Sequence, residues 1–247
     1  RWSVRSVITS AAEMVKAATP RTKVVMISHI TSGLGILMPA AELCALARDR
    51  GALAVVDGAQ VIGQRRLDVK ALGCDVYVTS PHKWLLAPKG TGVLYIRRDV
   101  QPRLWVTLAS GRLDDDETGA FRFMQYGTGS VPVVDGLLAA LAFIQAVGIE
   151  RIERWDLMLA NRLRDGLARI KGARVLSPPD RRLMSAITTF AVAGVTGRAL
   201  QDALWEKRIR VRAQGQTADR PVRLSAHFYV APADIDRALE VVASLRA

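Results

Sequence analysis

Residues 52–83 read ALAVVDGAQVIGQRRLDVKALGCDVYVTSPHK. Two apolar, β-branched runs, 52–56 and 75–79, are bounded by polar residues, the pattern of buried strands. Between them a short helical turn over 67–72 stops at Gly73. Strand, helical turn, strand predicts parallel neighbours joined by a right-handed crossover. Asp57 closes the first run, and Ser80, His82 and Lys83 follow the second. In sheets of this kind, ligands bind beyond the carboxyl ends of the strands.

Upstream, residues 24–28 (VVMIS) read as another buried strand, with His29 just past its end. A helix over 4–18 stops at Pro20, and Pro39 opens a helix over 40–50 that Gly51 closes. Downstream, residues 92–97 (GVLYIR) form a fourth strand. The polar stretch 101–128 reads as an irregular connection, and its run Asp114-Asp115-Asp116-Glu117 as a solvated loop. Helices follow over 132–147 and 150–171. Strands at 175–176, 186–192, 209–213 and 222–225 then mix with helices over 198–207 and 232–246. The expected fold is α/β: a mostly parallel sheet with flanking helices over 1–150, plus a smaller C-terminal α+β domain over 151–247.

Half of the 247 residues are hydrophobic, enough for a sizeable core. Asp135 and Gln145 interrupt the apolar run 131–147, which reads as a buried helix and not a membrane span. Arg1-Trp2-Ser3-Val4-Arg5 leads into an amphipathic segment, so no signal peptide is expected. Cys44 and Cys74 lie in apolar periodic segments and read as buried free thiols. With no disulfide framework, a cytoplasmic location is expected. The net charge of +12 raises a nucleic-acid reading. Arg48, Arg50, Arg162, Arg164 and Arg169 are spread along helices without aromatic neighbours, however, and read as solvated faces. Neither a nucleic-acid nor a membrane partner is expected.

On position alone, Lys83 reads equally well as a solvated loop lysine and as a partly desolvated amine nucleophile. Asp57 shifts that balance. A carboxylate at the end of an apolar strand is costly unless paired, and a protonated pyridine nitrogen is one good partner. A turn cap is the other reading of Asp57. Gln60 could donate to a ring oxygen, and Ser80 to a phosphate. Neither Gly90-Thr91-Gly92 nor Gly127-Thr128-Gly129 extends to a dinucleotide fingerprint, and no phosphate-binding G-x-x-x-x-G-K-[ST] loop is present.

The D-G-A-Q element at 57–60 and the S-x-H-K-W element at 80–84 stand on successive strands. Together with Gln125-Tyr126-Gly127-Thr128 and Val222-Arg223-Leu224-Ser225-Ala226-His227, they make the sequence resemble the class V aminotransferases of fold type I. The HKWLLAP segment most resembles the isopenicillin N epimerase-like branch. The resemblance implies pyridoxal 5′-phosphate as cofactor, an amino-acid substrate and a homodimer. It implies that Lys83 is the Schiff-base lysine and later moves the α-proton, that Asp57 pairs with the pyridine nitrogen, and that Gln60 bonds the ring hydroxyl. Ser80 and His82 would bind the phosphate, and Thr128 would reach the neighbouring subunit's cofactor. Arg223 would hold the substrate carboxylate, a task suited to a guanidinium fork. Ser32 lies where relatives place a small polar residue near the ring, and His29 would either touch the cofactor or order the strand end.

Two features depart from the family pattern. Relatives carry a longer N-terminal part with a glycine-rich phosphate loop and a ring-stacking residue, and no segment before Val24 is expected to play those parts. Tyr229-Val230-Ala231 stands where relatives usually show Tyr-Asn-Thr. Transamination and epimerisation remain open, with a non-catalytic or truncated member as the alternative. Cysteine desulfuration is disfavoured, since neither cysteine lies in a mobile loop.

Overall fold

The computed structural model describes residues 16–107, 116–125, 127–214 and 221–245. The helix expected over 4–18 lies almost wholly outside them, as do Asp114 and Asp115 of the acidic run. Contacts divide the described residues into two units, one comprising residues 16–29 and 39–147, the other residues 30–38 and 148–245.

In the first unit, β1 (Val24–Ser28), β2 (Leu53–Asp57), β3 (Val76–Thr79) and β4 (Val93–Ile96) form one sheet in that order. The pairs β1–β2 and β2–β3 are parallel, while β4 returns antiparallel to β3. Parallel return needs a long crossover, usually helical. The stretch after β3 holds only turns, so the chain doubles back. α1 (Ala40–Asp49) follows Pro39 and buries Ala40, Leu43, Cys44 and Ala47, the spacing of one helical face. Gly51 ends it with a φ of 69°, in the left-handed region. A single turn, α2 (Val69–Leu72), is capped by Asp68, whose side chain accepts from the Lys70 and Ala71 amides. Asp75 opens β3 buried, accepting the Ala54 amide at 2.7 Å and pairing with Arg97 at 2.8 Å.

Three readings of this unit change. β1 is covered only at alternate residues, leaving Val24 and Met26 exposed instead of buried. The connection after β4 contains a 3-10 helix, Arg98–Arg103, and 3-10 turns over Asp116–Phe123 that break at Gly119, so the end of the acidic run is helical. α3 (Val131–Val147) was expected to be buried, yet only Ala140 and Ile144 are. One narrow stripe of this mostly apolar helix is covered, where Gly136 leaves room for the Pro88 ring. No single described helix is long and apolar enough to cross a membrane.

The second unit packs α4 (Ile149–Ala168) and α6 (Pro232–Ser244) around Leu159, Leu163, Phe190, Val222 and Ile235. Its sheet runs β5 (Ala173–Val175), β6 (Ile187–Val192), β8 (Val222–Ser225), β7 (Arg212–Ala213), antiparallel throughout, with α5 (Gly197–Glu206) leading into β7. The strand expected over 209–213 shortens to its last two residues, after Arg208 takes a left-handed φ of 61°. Arg164 is buried and not on a solvated face. Its three nitrogens donate to Thr188 Oγ1, the Pro178 carbonyl and the Ile187 carbonyl.

Ile30–Met38 packs with this unit, although a continuous division at 150 would place it in the first. Its carbonyls explain the attachment. Ser177 donates to Leu34 O, Ser185 to Gly35 O and Thr189 to Gly33 O, at 2.6–2.7 Å. Gly35 has a φ of 66°, and a Cβ there would strike Ile187.

Candidate functional site

The polar residues at the strand ends of the first unit come together as the topology predicts. Ser28 and Asp57 are register partners, and the His29 amide donates to Asp57 O at 2.9 Å. The Asp57 side chain is half-buried. Its Oδ1 accepts the Ala59 amide at 2.9 Å, which fixes the carboxylate, and no described group donates to Oδ2. Gly58 follows because the Tyr77 ring fills the place of its Cβ. The Gly58 amide donates to Val78 O at 2.8 Å, and Thr79 Oγ1 returns a bond to Gly58 O at 3.0 Å, locking the β2 exit to β3.

The lysine turn is held to the same edge. Trp84 is buried, and its indole N–H donates to Gln60 Oε1 at 2.8 Å. Gln64 Nε2 donates to Gln60 O at 2.8 Å. A Cβ on Gly63 would collide with the Trp84–Leu85 backbone, so this turn and the lysine turn are in close contact. The Lys83 amide bonds back to Ser80 O at 3.2 Å. Leu86 takes a left-handed φ of 63°, a strained conformation for leucine that tightens the turn directly after the lysine.

Lys83 is exposed, the solvated one of the two readings that its position left open. The turn commits Trp84 and Leu85 to the interior and leaves His82 and Lys83 outside. Ser80 is half-buried, and Thr128 is exposed just ahead of α3. His29 is half-buried, with Nδ1 3.2 Å from the Tyr77 hydroxyl. Burial, and then the Arg65 charge, lower its pKa to about 4, so the imidazole is neutral at pH 7.

In the second unit, Ser32 and Arg223 are brought together through the backbone: Arg223 Nη1 donates to Ser32 O at 2.8 Å. Arg223 Nε is buried and meets no acceptor. Burial, and then the Arg212 charge, lower the pKa of its guanidinium.

The cysteines are free and buried. Desolvation, then Cys74 and Asp75, push the Cys44 thiol up to about 12. Desolvation raises Cys74 to about 11. Neither is a thiolate at neutral pH.

Tyr77 and Arg212 escaped the sequence reading, and Trp84 entered it only as part of the S-x-H-K-W element, not as the partner of Gln60. A tryptophan beside an exposed lysine in an otherwise polar turn was the available signal, because a buried indole N–H requires an acceptor.

A family model described as aminotransferase class-V matches residues 5–238. The isopenicillin N epimerase of Amycolatopsis lactamdurans is 34% identical over 255 residues, covering 94% of this chain and 63% of that protein. The apo structure of a cysteine desulfurase from Thermococcus onnurineus NA1 superimposes with a TM-score of 0.85 at 29% identity, covering 96% of this chain and 62% of that one. A mutant of C-DES with glycine covalently linked to its PLP cofactor gives a TM-score of 0.81 at 28% identity, covering 95% of this chain and 63% of that one. The chain thus spans less than two thirds of the length of these relatives.

Proposed function

The chain belongs to the aminotransferase class-V family, and on that premise we propose that it forms part of a pyridoxal 5′-phosphate enzyme acting at the α-carbon of an amino acid, with Lys83 as the residue that carries the cofactor. The observation that carries this reading is the Asp57 carboxylate. It is fixed through one oxygen and free at the other, on the sheet edge that also holds the Lys83 turn.

The residues present fit the cofactor. Asp57 Oδ2 is available to a protonated ring nitrogen, and Gln60 keeps Nε2 as a donor after Oε1 is taken by Trp84. The Ser80 hydroxyl and the His82 ring lie at the start of the lysine turn, where they would hold the phosphate. Bound there, the cofactor supplies an electron sink that makes the substrate α-proton acidic.

This chain's groups have separable tasks. Asp57 would hold a proton at the ring nitrogen. Gln60 would orient the ring through its hydroxyl. The Lys83 amine would hold the cofactor and serve as the base that takes and returns the substrate α-proton. His29 stays neutral and orders the end of β1 through Tyr77. Arg223 binds the substrate carboxylate with a planar fork that a lysine could not reproduce. Thr128 would serve the cofactor of a second copy.

Transamination or epimerisation suits this set. Persulfide chemistry needs an accessible thiolate, and both cysteines of this sequence are buried and protonated. A non-catalytic member that keeps the fold is the second reading, favoured by the exposure of Lys83.

Fluorescence titration with the cofactor tests the Asp57 assignment. Asp57→Ala is expected to weaken cofactor binding at least tenfold, while Cys74→Ala leaves it within twofold. Equal, small effects would reduce Asp57 to a turn residue.

A further inference from the structure

The second unit contains a cleft of about 970 Å³ whose lining includes Arg198, Arg210, Arg212, Arg223, Trp205 and Tyr229. Asp202 is the only acidic residue among its described lining, and it is bound to Arg198 at 2.8 Å, one helical turn away. Arg210, Arg212 and Arg223 have no carboxylate partner among the described residues.

Two of these arginines are placed against each other. Arg212 on β7 and Arg223 on β8 are direct register partners. Like charges facing across a strand pair are destabilising unless an anion lies between them. Arg223 also retains a buried Nε with no acceptor, although Nη1 is satisfied by Ser32 O. An unfilled buried donor beside a second guanidinium marks a place where an anion would satisfy both. The volume exceeds what one α-carboxylate needs, and Trp205 and Tyr229 present exposed rings at the same cleft.

We propose that this cleft is an acidic-side-chain subsite: Arg223 takes the α-carboxylate, Arg212 and Arg210 take a second carboxylate, and the substrate is an amino acid with an anionic side chain. The assignment rests on the reading of Arg223 given above. The apolar stem between the two carboxylates would lie along Trp205 and Tyr229. Arg198 is held by Asp202 and frames the cleft without neutralising it.

Calorimetric titration of the chain with L-glutamate and with L-glutamine at fixed ionic strength tests this, since the two differ by one charge at nearly equal size. Glutamate is expected to bind at least tenfold more tightly. The preference should fall toward unity in Arg212→Gln and in Arg210→Gln, each with a melting temperature close to that of the parent. Equal affinities, no binding of either ligand, or a preference that survives both substitutions would overturn the proposal. The visible absorbance of added cofactor is read in parallel. An intact band without charge preference defeats the subsite alone, and a charge preference without a band defeats the cofactor reading alone.

Discussion

Asp156 and Arg164 lie about two turns apart on α4, both buried, and neither pairs with an opposite charge. Arg164 is satisfied by three oxygens. Asp156 is satisfied by none, and desolvation raises its pKa from 3.8 to about 8. The folded carboxyl therefore keeps its proton to about pH 8, whereas the unfolded chain releases it near pH 3.8. Between those values the native state binds the extra proton, and stability falls as pH rises. Asp156→Leu removes this liability and should stabilise the chain by on the order of 1–3 kcal/mol at pH 8, with a smaller gain at pH 5. Urea unfolding at the two pH values checks it. A variant less stable at both would show that the carboxyl makes a contact worth keeping.

At the scale of elements, the first sheet is joined at its two ends by different chemistry. The carboxyl end is tied by the Gly58–Val78, Thr79–Gly58 and Trp84–Gln60 bonds around the candidate site. The opposite end is tied by Asp75, which bridges β2 through Ala54 N and reaches Arg97 beyond β4. Arg97 is one-third exposed and keeps Asp99 as a second partner, so the main loss in Asp75→Ala is the acceptor of the buried Ala54 amide, which should lower unfolding free energy by about 1–3 kcal/mol. Asp236→Ala, which breaks the exposed pair with Arg162, should leave the denaturation midpoint nearly unchanged. Chemical denaturation of the two variants side by side is the check, and comparable losses would contradict the division between buried and exposed pairs.

Much of the element order was legible. Runs such as VVMIS, LAVVD and VYVT carry their identity in β-branched composition, and Pro39, Gly51 and Gly73 mark the helix ends they were read to mark. Strand direction was not legible at β4, because side-chain periodicity is the same in parallel and antiparallel pairing. Within the site, Asp57 and the lysine turn were readable from their place after strands. The Gln60–Trp84 bond was not, since it depends on how two turns meet in space.

Over the whole molecule, the sequence hides what distant segments contribute. Ile30–Met38 belongs to the second unit because hydroxyls roughly 150 positions away satisfy its carbonyls, and no local pattern announces that. The charge of +12 looked diffuse along the chain. Folded, it gathers Arg198, Arg210, Arg212 and Arg223 beside Trp205 and Tyr229, a clustering with aromatics that the linear reading had discounted. That reading followed helix faces, whereas these arginines come from a helix, a loop and two strands.

The proposed chemistry turns on one amine, that of Lys83. The direct measurement is borohydride reduction of the chain mixed with pyridoxal 5′-phosphate, followed by peptide mapping by mass spectrometry, with Lys83→Ala in parallel. The expected result is a visible band before reduction, cofactor mass on the peptide containing Lys83, and loss of both in the variant. A label spread over other lysines, or a band that persists in Lys83→Ala, would contradict it.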